Sequence, residues 1–119
     1  MDSNKIGKDA EKLAEKYLIK HRLKLLERNF SSRFGEIDLI MQDRDTLTFI
    51  EVRYRNSKMF GGAAASVTAS KQSKIIKTAQ FYLSQNPRHA NKNCRFDVIA
   101  FEYDAAPSSP LWYKDAFRI

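Results

Sequence analysis

Apolar residues recur at three- and four-residue spacing near the start of the chain. Ile6, Ala10, Leu13, Ala14, Tyr17 and Leu18 would form one stripe along a helix, so the pattern predicts an amphipathic helix over 4–20. Ser3 or Asn4 can cap its start. The basic run Lys20-His21-Arg22 follows, and 23–30 reads as a first strand. The period then changes to two. Over 36–42, Ile37, Leu39 and Met41 are expected on one face of a strand and Glu36, Asp38 and Ile40 on the other. Asp43-Arg44-Asp45-Thr46 has turn composition, and 47–54 is a third strand rich in β-branched and aromatic residues. Residues 55–66 lack a period, and Gly61-Gly62 suggests a loop. A second helix is predicted over 69–85, with Ile75, Ile76, Ala79, Tyr82 and Leu83 inward and Pro87 just past its end. A polar, basic loop (88–93), a fourth strand (95–102), a turn at Pro107–Pro110 and an edge strand (111–117) complete the order αβββαββ.

Both faces of the second and third strands carry apolar residues, which a sheet needs only when helices cover it on both sides. The pattern therefore predicts a single α/β domain over 1–119, with no linker, repeat or low-complexity tract to divide it. At 43% hydrophobic residues and 119 residues in all, the chain has enough core to fold without staples.

Charge changes the picture. Twenty-one Lys and Arg stand against fourteen Asp and Glu, a formal net charge of +7. A small folded domain that basic is suited to a polyanion. Cys94 is the one cysteine, so no internal disulfide can form, and a reducing, cytoplasmic setting is expected. With Cys94, His21 and His89 alone, soft ligands are too few for a structural zinc site. No apolar run approaches a membrane span, and the polar start Met1-Asp2-Ser3-Asn4-Lys5 carries no secretory signal. No membrane partner is expected.

The chemistry concentrates in the 36–53 hairpin. If its turn is symmetric about Arg44 and Asp45, Asp38 lies opposite Glu51, and Glu36 lies opposite Arg53. Directly opposed residues have β-carbons about 4.5–5.5 Å apart on one side of the sheet. Two ionised carboxylates that close repel, so a shared proton, a cationic side chain or a metal ion must compensate. A hard divalent cation such as Mg²⁺ takes carboxylate oxygens, waters and a substrate phosphate, and can orient a water for attack on a phosphodiester. The excess positive charge would then hold a nucleic acid while the acidic spot holds the metal. The other reading is a cross-strand salt bridge, in which Arg53 neutralises Glu36 or Glu51. A one-residue asymmetry in the turn would send Asp38 to the other face.

The runs Gly35-Glu36-Ile37-Asp38-Leu39-Ile40 and Phe49-Ile50-Glu51-Val52-Arg53 resemble the core of the PD-(D/E)XK nuclease superfamily, an Asp followed on the next strand by Glu-x-Lys. Most of the chain resembles the bacterial YraN family more closely. That likeness covers Gly7, Glu11, Ala14, Tyr17, Leu18, Arg28-Asn29-Phe30, 35–40, 51–55, Val67, Lys71, Ala79, Tyr82-Leu83 and 95–99. The resemblance implies an αβββαβ restriction-endonuclease-like core, similar to that of Holliday-junction resolvases, here with an extra C-terminal edge strand. It implies Asp38 and Glu51 as ligands of Mg²⁺ or Mn²⁺, Glu11 as a further helix-borne acid of that site, and Arg53 in the place of the catalytic lysine. Lys71 would hold a phosphate at the start of the second helix. Arginine at position 53 departs from the pattern: it stays charged, so it can stabilise developing negative charge but cannot give up a proton as a desolvated lysine can.

Lys71, Lys74 and Lys77 fall along one flank of the second helix, and Arg33, Arg55, Lys58, Arg88, Lys92 and Arg95 are further candidate phosphate contacts. Together they would line a phosphate-tracking groove, or simply form a solvated face. Phe34, Tyr54 and Phe60 could stack on bases or belong to the core. A partnered structural role is expected for Asp97, a small buried one for Cys94, and surface or phosphate contact for His21 and His89. Three functions remain open: a metal-dependent endonuclease acting on DNA more readily than RNA, a catalytically silent nucleic-acid binder on the same fold, and a protein-interaction module. Cutting at junctions would favour a homodimer.

Overall fold

The first helix does become the cover of one sheet face. In the computed structural model, which describes residues 3–55, 67–102 and 110–118, helix α1 (Ser3–Lys20) lays Ala10, Ala14 and Leu18 against Leu39, Met41, Ile50, Ile99 and Phe101. The chain leaves α1 through two hydrogen bonds, Arg22 N–H to the Ile19 carbonyl (2.9 Å) and Leu23 N–H to the Leu18 carbonyl (3.0 Å). Leu18 and Leu23 join the same core, so hydrophobic contact and hydrogen bonds close the helix together.

Strands β1 (Lys24–Ser32), β2 (Gly35–Asp43), β3 (Thr46–Arg55), β4 (Asn93–Glu102) and β5 (Leu111–Phe117) form one sheet in that order. Pairing is antiparallel except between β3 and β4, which run parallel and are joined through helix α2 (Ala69–Gln85). Thr68 caps α2 by accepting from Lys71 N–H. Ile75, Ala79 and Tyr82 cover the second face of the sheet, against Ile37, Ile40, Leu47, Phe49, Phe96 and Val98. A single 3₁₀ turn, Pro87–His89, leads from α2 toward β4. The αβββαβ core with a fifth edge strand is thus the arrangement of a mixed sheet between two helices. Gly61-Gly62, the rest of the 56–66 segment and the Pro107 end of the expected turn lie outside the described residues.

One expectation about β2 is corrected. Ile37 belongs to the α2-side core, whereas Leu39 and Met41 belong to the α1-side core. Residues two apart on a regular strand share a face, so the alternation slips by one at Asp38. The cause lies across the ladder. Arg28 pairs with Leu39 and Phe30 with Ile37, but Asn29 takes a left-handed backbone (φ 49°) and no Asn29–Asp38 pair forms. One residue of each strand drops out of the pleat, and both strands resume with the faces exchanged.

Candidate metal and nucleic-acid site

The slip decides where Asp38 goes. The β2–β3 ladder follows the symmetric register from Asp43↔Thr46 to Leu39↔Ile50 and stops there. Beyond it, Val52 N–H donates to Asp38 Oδ2 (2.8 Å) instead of to a backbone carbonyl. The carboxyl therefore replaces a rung of the sheet and sits in the fork between β2 and β3. Glu51 shares a hydrogen bond with it there, so the two acids meet as the register argument expects, although through the fork rather than through a regular pair. Burial, first, and then the Glu51 charge push the Asp38 pKa up to about 8, against the opposing pull of Val52 N–H.

Arg53 lies on the same face of β3 and donates from Nη1 to Glu51 Oε2 (3.3 Å). The salt-bridge reading and the carboxylate-pair reading are therefore both realised, with Glu51 shared between Asp38 and Arg53. Glu36 does not face Arg53; it accepts from Asn29 Nδ2 (3.0 Å). The same amide donates to Glu11 on α1 (2.7 Å). Burial raises the Glu11 pKa, Asn29 lowers it, and the charges of Asp38 and Glu36 raise it again. Four carboxylates from α1, β2 and β3 thus share one electrostatic environment, and Asn29 ties two of them. The sequence reading left Asn29 without a role. Asparagine tolerates a left-handed backbone better than most residues, but only the β1–β2 register, visible in the fold and not in the sequence, sets it across from Asp38.

Among the described residues, no three His, Cys, Asp or Glu side chains stand close enough to cage a metal ion. A divalent cation would be held by Asp38 and Glu51, with water and substrate oxygens completing its shell, which is how Mg²⁺ is commonly bound. The donor set fits such an ion. Both groups are hard oxygen ligands, and burial together with the Glu51 charge disfavours the ionised Asp38 carboxylate, a cost that a cation would relieve.

The expected phosphate contacts divide. Lys74 is exposed and runs beside the β1–β2 turn: a β-carbon placed on Gly35 would lie 3.5 Å from that of Lys74. Ser32 and Thr78 join the same two elements through their hydroxyls (3.1 Å). Arg33 is exposed at that turn, its guanidinium 4.9 Å from the centre of the half-buried Phe34 ring. Arg33 and Lys74 are therefore brought to one end of the molecule. Lys71 is half-buried in the first turn of α2, and Tyr54 is exposed near the end of β3. Arg55 ends β3, with its side chain outside the description, and Lys58 and Phe60 lie outside the described residues.

Two smaller expectations change. Cys94, second residue of β4, is exposed rather than buried. His89 is buried against Tyr82 rather than on the surface. Asp97 is the partnered structural acid expected of it. It is fully buried and accepts from Arg95, Trp112 Nε1 and Asp115 N–H.

Comparison with known proteins places the chain in a family. The model of "Uncharacterised protein family UPF0102" matches residues 10–101. A UPF0102 protein of Nitrosococcus oceani is 47% identical over 113 residues, covering 95% of this chain and 91% of the relative. One from Colwellia psychrerythraea is 51% identical, covering 93% and 87%, and one from Stutzerimonas stutzeri is 46% identical, covering 98% of each. The chain belongs to the UPF0102 family, the family of the YraN-like proteins.

Proposed function

We propose that this UPF0102 protein is a nucleic-acid-binding domain that hydrolyses phosphodiester bonds with the help of Mg²⁺ or Mn²⁺, with DNA as the preferred substrate and the cytoplasm as its setting. The observation that carries the reading is the half-buried Asp38 carboxyl at the β2–β3 fork, beside Glu51, in a chain of net charge +7. A divalent cation, when bound, would supply Lewis-acid polarisation of the scissile phosphate.

The residues of the chain do the rest. Asp38 is fixed through Oδ2 by Val52 N–H, which holds its carboxyl beside Glu51. Glu51 is oriented from the other side by Arg53. Arg53, always charged, stabilises the negative charge that develops on the phosphate. Glu11 and Glu36, held by Asn29, keep the region acidic and favour a cation there. Arg33 and Lys74 provide backbone contacts beside it. The resemblance to nuclease cores supports the same assignment of Asp38 and Glu51.

A silent binder on the same fold is the second reading, and the Arg53–Glu51 ion pair favours it, because that pair can lock Glu51 away from a metal. One assay separates the two. Labelled single-stranded, duplex and four-way-junction DNA, and RNA, are incubated with Mg²⁺, Mn²⁺ or EDTA. We expect divalent-dependent cutting that falls roughly 100-fold or more in Asp38→Asn. Cutting by Arg53→Lys alone would mean that arginine silences the site. Salt-sensitive binding with no cutting by any form would establish the binder.

A further inference from the structure

At the opposite end of β3 and β4 from Glu51, a cleft of about 590 Å³ opens between the α1–β1 turn, the β2–β3 turn and the starts of β4 and β5. Its floor is rigid. Arg95 donates to Asp97 and Asp43, and Asp97 also receives the indole N–H of Trp112, so guanidinium, carboxylates and indole fix one another. That network satisfies Arg95 internally. The remaining cations at the cleft are Arg22, Arg44 and Lys114, and the remaining acid is Asp45. Lys114 Nζ lies 4.4 Å from the centre of the Trp112 ring, and neither Arg22 nor Arg44 pairs with an acid among the described residues.

The two arginines occupy unusual backbone. Arg22 follows the C-terminus of α1 with φ 72°, the position where helices normally place glycine. Arg44 has φ 57° in the two-residue β2–β3 loop, where glycine or asparagine is the usual choice. A residue with a β-carbon is strained at both positions. Each local rule is broken by the same side-chain type, and both side chains line the same cleft. Departures from local preference that converge in space point to function rather than to folding.

We propose that this cleft is a second ligand site, one that binds the phosphate ester of a nucleotide. Arg22 and Arg44 would fork onto the phosphate oxygens, and Lys114 would add charge beside the Trp112 ring. Two arginine forks match the geometry of a phosphate. The volume exceeds what an inorganic anion needs and falls within the range of small-ligand sites. The ester can belong to a free nucleotide or to a nucleic-acid strand. The site is independent of the Asp38–Glu51 chemistry.

Trp112 is the one tryptophan of the chain, so its fluorescence reports the cleft directly. The full-length protein is titrated with a nucleoside monophosphate, the matching nucleoside and a short single-stranded oligonucleotide, beside Arg22→Gly, Arg44→Gly and Asp38→Asn. We expect the phosphorylated probes to alter the emission and the nucleoside to bind at least tenfold more weakly. A tighter response to the monophosphate or to the oligonucleotide tells which source the site serves. Each glycine variant should weaken phosphate-ester binding tenfold or more while its Tm stays level or rises, because glycine relaxes the backbone. Asp38→Asn should bind the monophosphate as the parent does. Unchanged affinity in both glycine variants, equal affinity for the nucleoside, no response to either phosphate probe, or a fall in Tm by several degrees in both glycine variants would overturn the proposal.

Discussion

At the scale of single residues, Asp38 carries the most consequential conflict between stability and function. Its pKa in the fold, about 8, stands far above that of an unfolded aspartate, so the native state holds a proton that the unfolded chain has lost. The stability linked to that proton is complete below the unfolded carboxylate pKa and is lost as pH rises toward about 8. An asparagine side chain in its place would keep the acceptor for Val52 N–H but cannot ionise. We therefore expect Asp38→Asn to remain folded, to flatten the decline of Tm between pH 4 and pH 8, and to be more stable than the parent at pH 8. Thermal melts across that range check this. A variant less stable than the parent at pH 8 would mean that the carboxylate is held by partners stronger than Val52 N–H. Mg²⁺ should raise the parent's Tm at pH 8 and leave that of Asp38→Asn unmoved.

At the scale of elements, the β1–β2–β3 unit is built around one irregularity. Asn29 leaves the pleat with a left-handed backbone, Asp38 leaves it opposite, and the sheet faces exchange. Asn29→Gly should cost little in backbone energy, whereas Asn29→Val, branched at a position with φ 49°, should be the less stable of the two by about 1–2 kcal/mol. Urea unfolding of the two variants gives that difference directly, and equal stabilities would mean that the strand re-pleats at no cost. The 3₁₀ turn after α2 carries a separate polar cost. His89 is 4% exposed, stacks on Tyr82, and neither ring nitrogen meets a hydrogen-bond partner among the described residues. Burial lowers its pKa, and Lys92 and Arg88 lower it further. Stability from the neutral ring is therefore full above the ordinary histidine range and lost as pH falls below about 6.5. His89→Phe should keep the stacking and melt higher than the parent at pH 5.5, with a much smaller difference at pH 8.

These elements also show how far the sequence could be read. Helix α2 begins and ends at Ala69 and Gln85 as the periodicity and Pro87 predict, because an amphipathic stripe and a helix breaker are local signals. The β2–β3 register was legible too, since a two-residue turn between alternating strands leaves little freedom. The side-chain phase of β2 was not. It depends on Asn29, nine residues earlier on another strand, and no pattern within β2 itself carries that information. The same slip explains why Asp38 and Glu51 could be named from spacing while the partnership of Glu11 and Glu36 through Asn29 could not. The Arg22 and Arg44 cleft was hidden for another reason: four separate turns and strand ends build it, and each looks ordinary along the chain.

At the scale of the whole molecule, charge is sorted rather than spread. Fourteen acids face twenty-one Lys and Arg, yet four of the acids, Glu11, Glu36, Asp38 and Glu51, share one spot. The remaining surface is therefore more basic than a net charge of +7 suggests. Such a surface should bind nucleic acid with an affinity that falls linearly on a log–log plot against salt, and Lys74→Glu or Arg33→Glu should each shallow the slope by roughly one phosphate contact. The acidic spot adds a second, opposite dependence. Without divalent cations it repels the strand that the basic surface attracts, so Mg²⁺ at constant ionic strength should tighten binding by the parent. The double variant Asp38→Asn, Glu51→Gln should bind well without Mg²⁺ and gain little from it. Fluorescence anisotropy with a labelled oligonucleotide, with and without Mg²⁺ at matched ionic strength, distinguishes the cases. If Mg²⁺ merely screens, it will weaken binding by both proteins alike, and the acidic spot will have no part in holding nucleic acid.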